Sequence, residues 1–252
     1  MSEPKELKVI LLRHTPFPEE TVSLGAKLCY SKSSIEDLRD KIAQKDQSAF
    51  IDKLMNMGHE SIFEHASFTF GVEGVSRVLL AQLTRHRIAS FSVQSQRYVS
   101  YENGFGYIIP DSIKALGADA VAKYKEQMDT IEGWYVDWQK QLGAGEKANE
   151  DARFVLPNAC ETRIMLTMNV RELMHFFSLR MCQRAQWEIR RMAEQMFLLC
   201  LEVAPSIFKN AGPACLRGKC PEGEKSCGKA AEIRRAREEL LASMTEKEDN
   251  HG

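Results

Sequence analysis

The chain's densest group of reactive side chains is Arg85-His86-Arg87. Residues 76 to 100 contain four arginines, at 77, 85, 87 and 97, and no carboxylate. Guanidinium forks pair bidentately with phosphate oxygens, so an uncompensated set of them attracts an anion. Ser90, Ser92, Gln94, Ser95 and Gln96 add neutral donors and acceptors without adding charge, a mixture that suits a nucleotide better than a bare phosphate. The same residues could equally form a solvated basic face whose hydroxyls cap turns.

A second basic group gathers Arg153, Arg163, Asn169, Arg171, His175, Arg180 and Arg184. Arg171, His175 and, less closely, Arg180 fall near one side of a helix, because four-residue steps return to the same face. Several cations on an apolar helix need anionic partners, which could be a ligand or internal carboxylates such as Glu172 and Glu188. The third feature is Gly58-His59-Glu60-Ser61-Ile62-Phe63-Glu64-His65. It fails as a zinc helix, since its histidines are six apart rather than four and point to nearly opposite sides. His59 could instead reach an aromatic or anionic ligand, or the segment could be a helix-start turn capped by Glu60 or Glu64. Ser95 lacks the GxSxG elbow of a serine hydrolase. Neither GxGxxG nor GxxxxGK[ST] occurs, so any dinucleotide must be held by side chains.

The elements that must position these residues follow from periodicity. Residues 7 to 13 read as a buried strand and Glu20 to Tyr30 as a helix. Ser33 or Ser34 caps a helix through about Gln44, and Ala49 to Met57 forms another that Gly58 stops. Ser67 to Glu73 alternates as a strand, and Ser76 caps a helix from Arg77 to about His86 that carries the first basic group. Residues 88 to 103 read as a structured loop, followed by a short strand at Gly106 to Ile109. A long architectural helix spans Ala118 to Gln141, another spans 147 to 155, and Thr162 to Val170 is a strand. Helices at Arg171 to about Cys182 and Ala185 to Val203 follow, and Pro205 ends the packed region. Beyond Leu216 the chain carries eight basic and eight acidic residues, with a helix at Ala230 to Leu241 and then a mobile end. Few strands among many helices, without βαβ alternation, predict an α+β fold: a single domain with a small, mostly antiparallel sheet packed by several helices.

With 44% hydrophobic and 27% charged residues, the chain has the make-up of a folded protein rather than a disordered one. A net charge of −1 and the absence of a long basic stripe count against a nucleic-acid-binding protein. No run approaches the ~20 apolar residues of a membrane span, and the amino terminus leads only into the short apolar stretch Val9 to Leu12, so a cytoplasmic protein with no membrane partner is expected. Of the seven cysteines, those at 29, 160, 182 and 200 lie in apolar segments and read as core thiols. Cys215, Cys220 and Cys227 cluster among Gly, Lys and Pro, but their spacing misses the CxxC pairs of ordinary zinc sites and no fourth ligand is evident, so no metal is assigned.

Taken in order, Arg85-His86-Arg87, seven residues and Ser95 resemble the RHRx7S signature of flavin-dependent thymidylate synthases. Three further segments agree in order: GHESIFEH at 58 to 65, SQRY at 95 to 98, and the run from Arg153 through Asn169-Val170-Arg171 to Leu179-Arg180 and Ala185-Gln186-Trp187-Glu188. The resemblance spans about residues 7 to 209, which implies a catalytic domain at 1–212 and a cysteine-bearing polar tail at 213–252.

The resemblance implies an FAD-dependent methyltransferase that converts dUMP to dTMP, with methylenetetrahydrofolate as one-carbon cosubstrate and NADPH as reductant. It implies a homotetramer whose sites are shared between subunits. Arg180 matches the residue whose guanidinium lies against the uracil edge and favours its electron-rich form, an electrostatic role. Gln82, Arg85, Ser95, Gln96, Arg97 and Arg153 match positions that hold the nucleotide, with Val93 and Gln94 contributing backbone contacts. Ser61, Arg85, His86, Arg87, Asn169, Arg171 and His175 match FAD-binding positions; Val93 stands with this set too, and Cys29 matches less well. His59 matches a residue near the flavin and folate rings, and Tyr98 adjoins the set. Two residues depart from the pattern: Val93 stands where some members have Glu, and Arg184 occupies a position that can be His.

Overall fold

The computed structural model describes residues 2–249, with side chains described as far as residue 244. Residues 250–252 of the expected tail lie outside the described residues. In chain order the elements are β1 (Glu3–Pro4), β2 (Lys8–His14), α1 (Pro18–Leu28), α2 (Ile35–Ala43), α3 (Ser48–Asn56), a 3-10 turn (Ser61–His65), β3 (Ser67–Ser76), α4 (Arg77–Leu83), β4 (Ala89–Val93) and β5 (Gly106–Tyr107). There follow α5 (Asp111–Lys114), α6 (Ala118–Gln141), α7 (Gly145–Ala152), β6 (Glu161–Asn169), α8 (Val170–Arg180), α9 (Trp187–Val203), α10 (Pro205–Phe208) and α11 (Ala230–Asp249). Helices and one small antiparallel sheet make the expected α+β class. None of the described helices is long and apolar enough to cross a membrane.

The chain divides into two compact units, one of residues 1–12 and 69–167 and the other of residues 13–68 and 168–252.

The first unit carries most of a four-stranded sheet ordered β2-β3-β6-β4, and the two-stranded parallel pair β1-β5. In the sheet Lys8 lies opposite Glu73 at 3.6 Å, Thr69 meets Thr167 at 2.9 Å between hydroxyls, and Gly74 N–H donates to Glu161 Oε1 at 3.0 Å, the crossed numbering of antiparallel neighbours. β6 buries Thr162, Ile164, Leu166 and Met168 and exposes Arg163 and Met165, the period-two pattern that made it legible. Gly74 has φ 69, and a Cβ there would stand 1.8 Å from the Glu6 carbonyl oxygen, so no other residue fits this crossing of chains. β4 is a correction: it lies in the stretch expected to be a loop, its partly buried Ala89, Phe91 and Val93 alternating with exposed Ser90 and Ser92. The serines hid the alternation, because hydroxyl-rich segments read as turns.

α6 matches its expected limits and buries Met128, Tyr135 and Gln139. Tyr135, Tyr101, Phe105, Tyr107 and Cys160 form the core beneath it, with Tyr101 and Tyr135 edge to face at 6.0 Å. Polar links run through this core: the Tyr135 hydroxyl donates to Asn149 Oδ1 at 3.3 Å, Gln139 Nε2 donates to the Ser100 hydroxyl at 2.8 Å, and Asn149 Nδ2 donates to the Arg97 carbonyl at 3.0 Å. Buried amides with their bonds made fix geometry, so α6 and α7 hold the backbone that carries Arg97.

In the second unit α9 buries Ile189, Met192, Ala193, Met196, Phe197, Cys200 and Leu201, a helical stripe repeating every three or four residues. Phe177 of α8 lies 5.9 Å from Phe197 and 6.0 Å from Phe208, and Phe68 lies 5.4 Å from Phe208. Pro205 does not end the packed region; it opens α10, where a missing N–H costs nothing, and Ile207 and Phe208 are fully buried. Glu19 of α1 accepts from the Ser206 N–H at 2.7 Å and its hydroxyl at 3.1 Å. α11 continues to Asp249, eight residues past its expected end. Arg237 anchors it: the guanidinium stacks 4.0 Å from the Phe197 ring centroid and donates to the carbonyls of Lys209 and Ala211. Burial pulls that guanidinium down to about 10.

All seven cysteines are free. Cys160 and Cys200 are buried as expected, but Cys29 is exposed at the end of α1 and Cys182 is only partly buried, which corrects the reading of all four as core thiols.

Candidate functional site

In the first unit, Ser76 caps α4 by accepting from the Leu79 N–H at 3.1 Å, as its sequence position predicts. The helix stops at Leu83, three residues short of the expected end, where the Thr84 hydroxyl donates back to the Leu80 carbonyl at 3.0 Å. Arg85-His86-Arg87 therefore sits on the turn beyond the helix rather than on it. His86 is 5% exposed, whereas Arg85 and Arg87 on either side are exposed and have no ion-pair partner among the described residues. Two uncompensated guanidiniums held apart by one buried ring are an anion site in waiting. Gln82 is partly buried in the last turn of α4.

The other arginines of this unit are occupied. Arg77 donates to Gln96 Oε1 at 3.2 Å and to the Thr162 hydroxyl at 3.3 Å, while Gln96 Nε2 reaches Cys160 Sγ at 3.5 Å. Gln96 is thus turned inward, 8% exposed, with both ends of its amide engaged. Arg97 pairs with Glu146 Oε1 at 2.5 Å and with Glu150 Oε2 at 3.3 Å, and lies 5.4 Å from the Tyr98 ring centroid. Arg153 Nε donates to the Glu150 carbonyl at 3.0 Å, so Glu150 brings together two arginines that are far apart in sequence. The Ser95 hydroxyl accepts from the Arg97 N–H at 3.2 Å, a turn bond rather than the arrangement of a nucleophile. Gln94 N–H donates to the Arg163 carbonyl at 2.9 Å, extending the sheet past Val93. Val93 and Gln94 line an open cleft of about 400 Å3 on the sheet, with Ile10, Gly71 and Met165 along it and Arg163 and Glu73 at its edge.

In the second unit, Asn169 caps α8, its Oδ1 accepting from the Glu172 N–H at 2.9 Å. Arg171 and His175 follow four residues apart on the exposed side. Arg171 pairs with Glu64 at 2.5 Å and Glu60 at 3.4 Å, which resolves the expectation of internal carboxylates with partners other than Glu172 and Glu188. The Glu60 and Glu64 carboxylates thus hold the GHESIFEH segment to α8 instead of capping its 3-10 turn, whose start makes no side-chain cap bond. Ser61 is exposed and His59 partly buried at the entrance to that turn. Arg180 ends α8 and is partly buried. Nine residues beyond Arg171 it is rotated by roughly 180°, so it does not share the Arg171 and His175 face as expected. Arg184 pairs with Glu222 at 3.0 Å and donates to the Lys225 carbonyl at 2.7 Å.

Residues 10–206 match the family profile of the thymidylate synthase complementing proteins. The chain belongs to that family. The flavin-dependent thymidylate synthase of Geobacter sulfurreducens is 51% identical over 235 residues, covering 93% of this chain and 99% of its own. That of Clostridium tetani is 48% identical over 240 residues, covering 91% and 96%. Among solved structures, a UMP/dUMP methylase, PolB, from Streptomyces cacaoi bound with 5-Br dUMP is similar at a TM-score of 0.67 and 25% identity, covering 83% of this chain and 96% of that one.

For a thymidylate synthase complementing protein, the residues that sequence reasoning passed over are the acidic partners. Glu146 and Glu150, like Glu60 and Glu64, stand four apart, and that spacing was the available signal. What the spacing lacked was a way to say which arginine each pair would meet. Arg77 was counted with the basic stretch, but its bonds to Gln96 and Thr162 make it a brace inside the first unit.

Proposed function

We propose that the chain is an FAD-dependent thymidylate synthase that methylates dUMP reductively to dTMP, with methylenetetrahydrofolate as one-carbon donor and NADPH as reductant, working in the cytoplasm. The observation that carries this reading is the Arg85-His86-Arg87 turn, where two exposed guanidiniums lack carboxylates, in a family whose relatives bear that activity in their names.

The residues present suit an anionic dinucleotide. Asn169 caps α8 and Arg171 stands in its first turn, where backbone N–H groups and the helix dipole favour negative charge, and His175 follows one turn later on the same exposed side. Arg85, His86, Arg87 and Ser61, with Val93, complete the set assigned to FAD, and His59 is assigned to the neighbourhood of the flavin and folate rings. When bound, FAD supplies the hydride chemistry that no side chain of the protein can perform. Everything else falls to the chain's own groups. Arg85, Arg97 and Arg153, with Gln82, Ser95 and Gln96, hold the nucleotide, and Gln94 and Val93 add backbone contacts. Arg97 exchanges Glu146 and Glu150 for phosphate, an exchange made easy because exposed ion pairs are weak. Arg180 lies against the uracil and stabilises the negative charge that builds on the ring, so no enzyme nucleophile is needed. Residues 1–212 form the catalytic part. The working unit is a homotetramer in which different subunits complete each site, a reading supported by the exposed Trp134 and Trp138 on α6 and by Phe154 at 83% exposure.

The test is dTMP formation from dUMP, methylenetetrahydrofolate, FAD and NADPH, with each component left out in turn and UMP offered in place of dUMP. Product that depends on FAD and on dUMP is expected. A complete mixture that yields no dTMP while FAD and dUMP both bind overturns the reaction assigned.

A further inference from the structure

Four thiols of the second unit have no part in the reaction. Cys182 is the second residue past α8. Cys215 lies in a single 3-10 turn, Ala214–Leu216, and Cys220 and Cys227 flank another, Gly223–Lys225. Between Cys215 and α11 there is no other regular structure and almost no apolar side chain, so little hydrophobic burial exists to order the segment.

Side-chain clamps nevertheless bring these stretches together. Arg184, two residues after Cys182, pairs with Glu222 at 3.0 Å and donates to the Lys225 carbonyl at 2.7 Å, both within the arm from Cys220 to Cys227. From α11, Arg234 donates to the carbonyls of Cys215 at 2.8 Å and Gly218 at 2.7 Å, fixing the arm from Cys215 to Cys220. Cys215 is 7% exposed. The Arg184 clamp brings the turn that carries Cys182, more than thirty residues earlier in the chain, to the arm between Cys220 and Cys227, and so offers the fourth thiol that sequence spacing could not supply.

We propose that Cys182, Cys215, Cys220 and Cys227 are the ligands of a structural site for a zinc-class divalent cation, which ties the carboxy-terminal segment to the turn after α8. Four thiols on two irregular stretches that side-chain clamps tie together suit a soft cation bound tetrahedrally, and binding releases the thiol protons to solvent. Arg217, Lys219 and Lys225 on the same segment offset part of the net negative charge of a four-thiolate complex. Among the described residues no three ligand side chains yet converge at coordinating distance. Cys227 is exposed beside Gly228, whose φ is 74, and Cys220 is only partly buried, so coordination draws in the ligands that are least restrained. On the functional reading above, the same turn carries Arg180, and a bound cation would hold that end of α8.

The test uses the full chain, purified under reducing conditions from zinc-supplemented medium. Elemental analysis is expected to give one zinc per chain that survives gel filtration, and cobalt in its place is expected to give the intense visible bands and thiolate charge transfer of a tetrahedral sulfur site. Cys182→Ser should weaken zinc binding by more than about 100-fold, while Cys29→Ser should leave the stoichiometry unchanged. Zinc well below one per chain, a non-reduced mass short by two hydrogens per disulfide, or a cobalt spectrum untouched by Cys182→Ser would each overturn the proposal.

Discussion

Asn169 is the residue at which a structural role and a cofactor role can be separated most cleanly. Its Oδ1 accepts the Glu172 N–H at 2.9 Å, so this oxygen serves the helix, and its Nδ2 is the group that can donate to FAD. Asn169→Ala removes both. Loss of an N-cap costs about 1 kcal/mol, which in a protein of this size lowers Tm by about 2–4 °C. Asn169→Asp keeps an oxygen for the Glu172 N–H and adds a charge that the helix dipole favours, so Tm measured without FAD should stay at the parent value. The same change removes the Nδ2 donor and sets a carboxylate where an anionic cofactor is assigned. One lost hydrogen bond of about 1.4 kcal/mol weakens FAD roughly tenfold, and repulsion adds to that. Thermal unfolding followed by circular dichroism reports the cap, and quenching of flavin fluorescence reports the cofactor. If Asn169→Asp binds FAD like the parent, Asn169 is a cap and nothing more; if Asn169→Ala leaves Tm unchanged, the cap itself is wrong.

Arg180→Ala should abolish dTMP formation while FAD stays bound, because its assigned partner is the uracil; retained turnover, measured by product chromatography, sinks that assignment. Arg171→Ala should weaken FAD at least tenfold but move Tm by less than about 2 °C, since its pairs with Glu60 and Glu64 are half exposed; a large fall in Tm with unchanged flavin affinity would mean that the residue only braces the GHESIFEH segment. Burial holds the Cys160 thiol up at about 11, against roughly 8.5 for a free cysteine. The folded chain then keeps a proton that the unfolded chain loses, so this contribution to stability is whole below the lower value and is lost as pH rises towards the upper, about 2 kcal/mol of it by pH 10. Urea unfolding at pH 7.5 and 10 should show a smaller alkaline loss for Cys160→Ala than for the parent, and equal losses would contradict the burial argument. Keeping to pH 10 limits the contribution of Tyr101, which burial pushes up to about 12.

Local order could be read from the sequence because its causes are local. Ser34 and Ser76 cap the helices they precede, α6 keeps its expected limits, and β6 alternates, each set by residues within a turn or two of one another. The motif Arg85-His86-Arg87 and its order relative to the other segments were likewise visible. Where local signals competed, the reading failed: the serines of β4 obscured its alternation, and the hydroxyl of Thr84 ended α4 before the basic residues. Partner choice is a different kind of question. Glu60 and Glu64 meet Arg171, Glu146 and Glu150 meet Arg97, and Glu222 meets Arg184, all across separations of dozens of residues or more. The sequence alone therefore determined most of the helices and strands, wherever one local signal dominated, and which chemical groups are present. Only the tertiary structure decided which charges are neutralised, leaving Arg85 and Arg87 uncompensated, because that depends on long-range packing that periodicity does not encode.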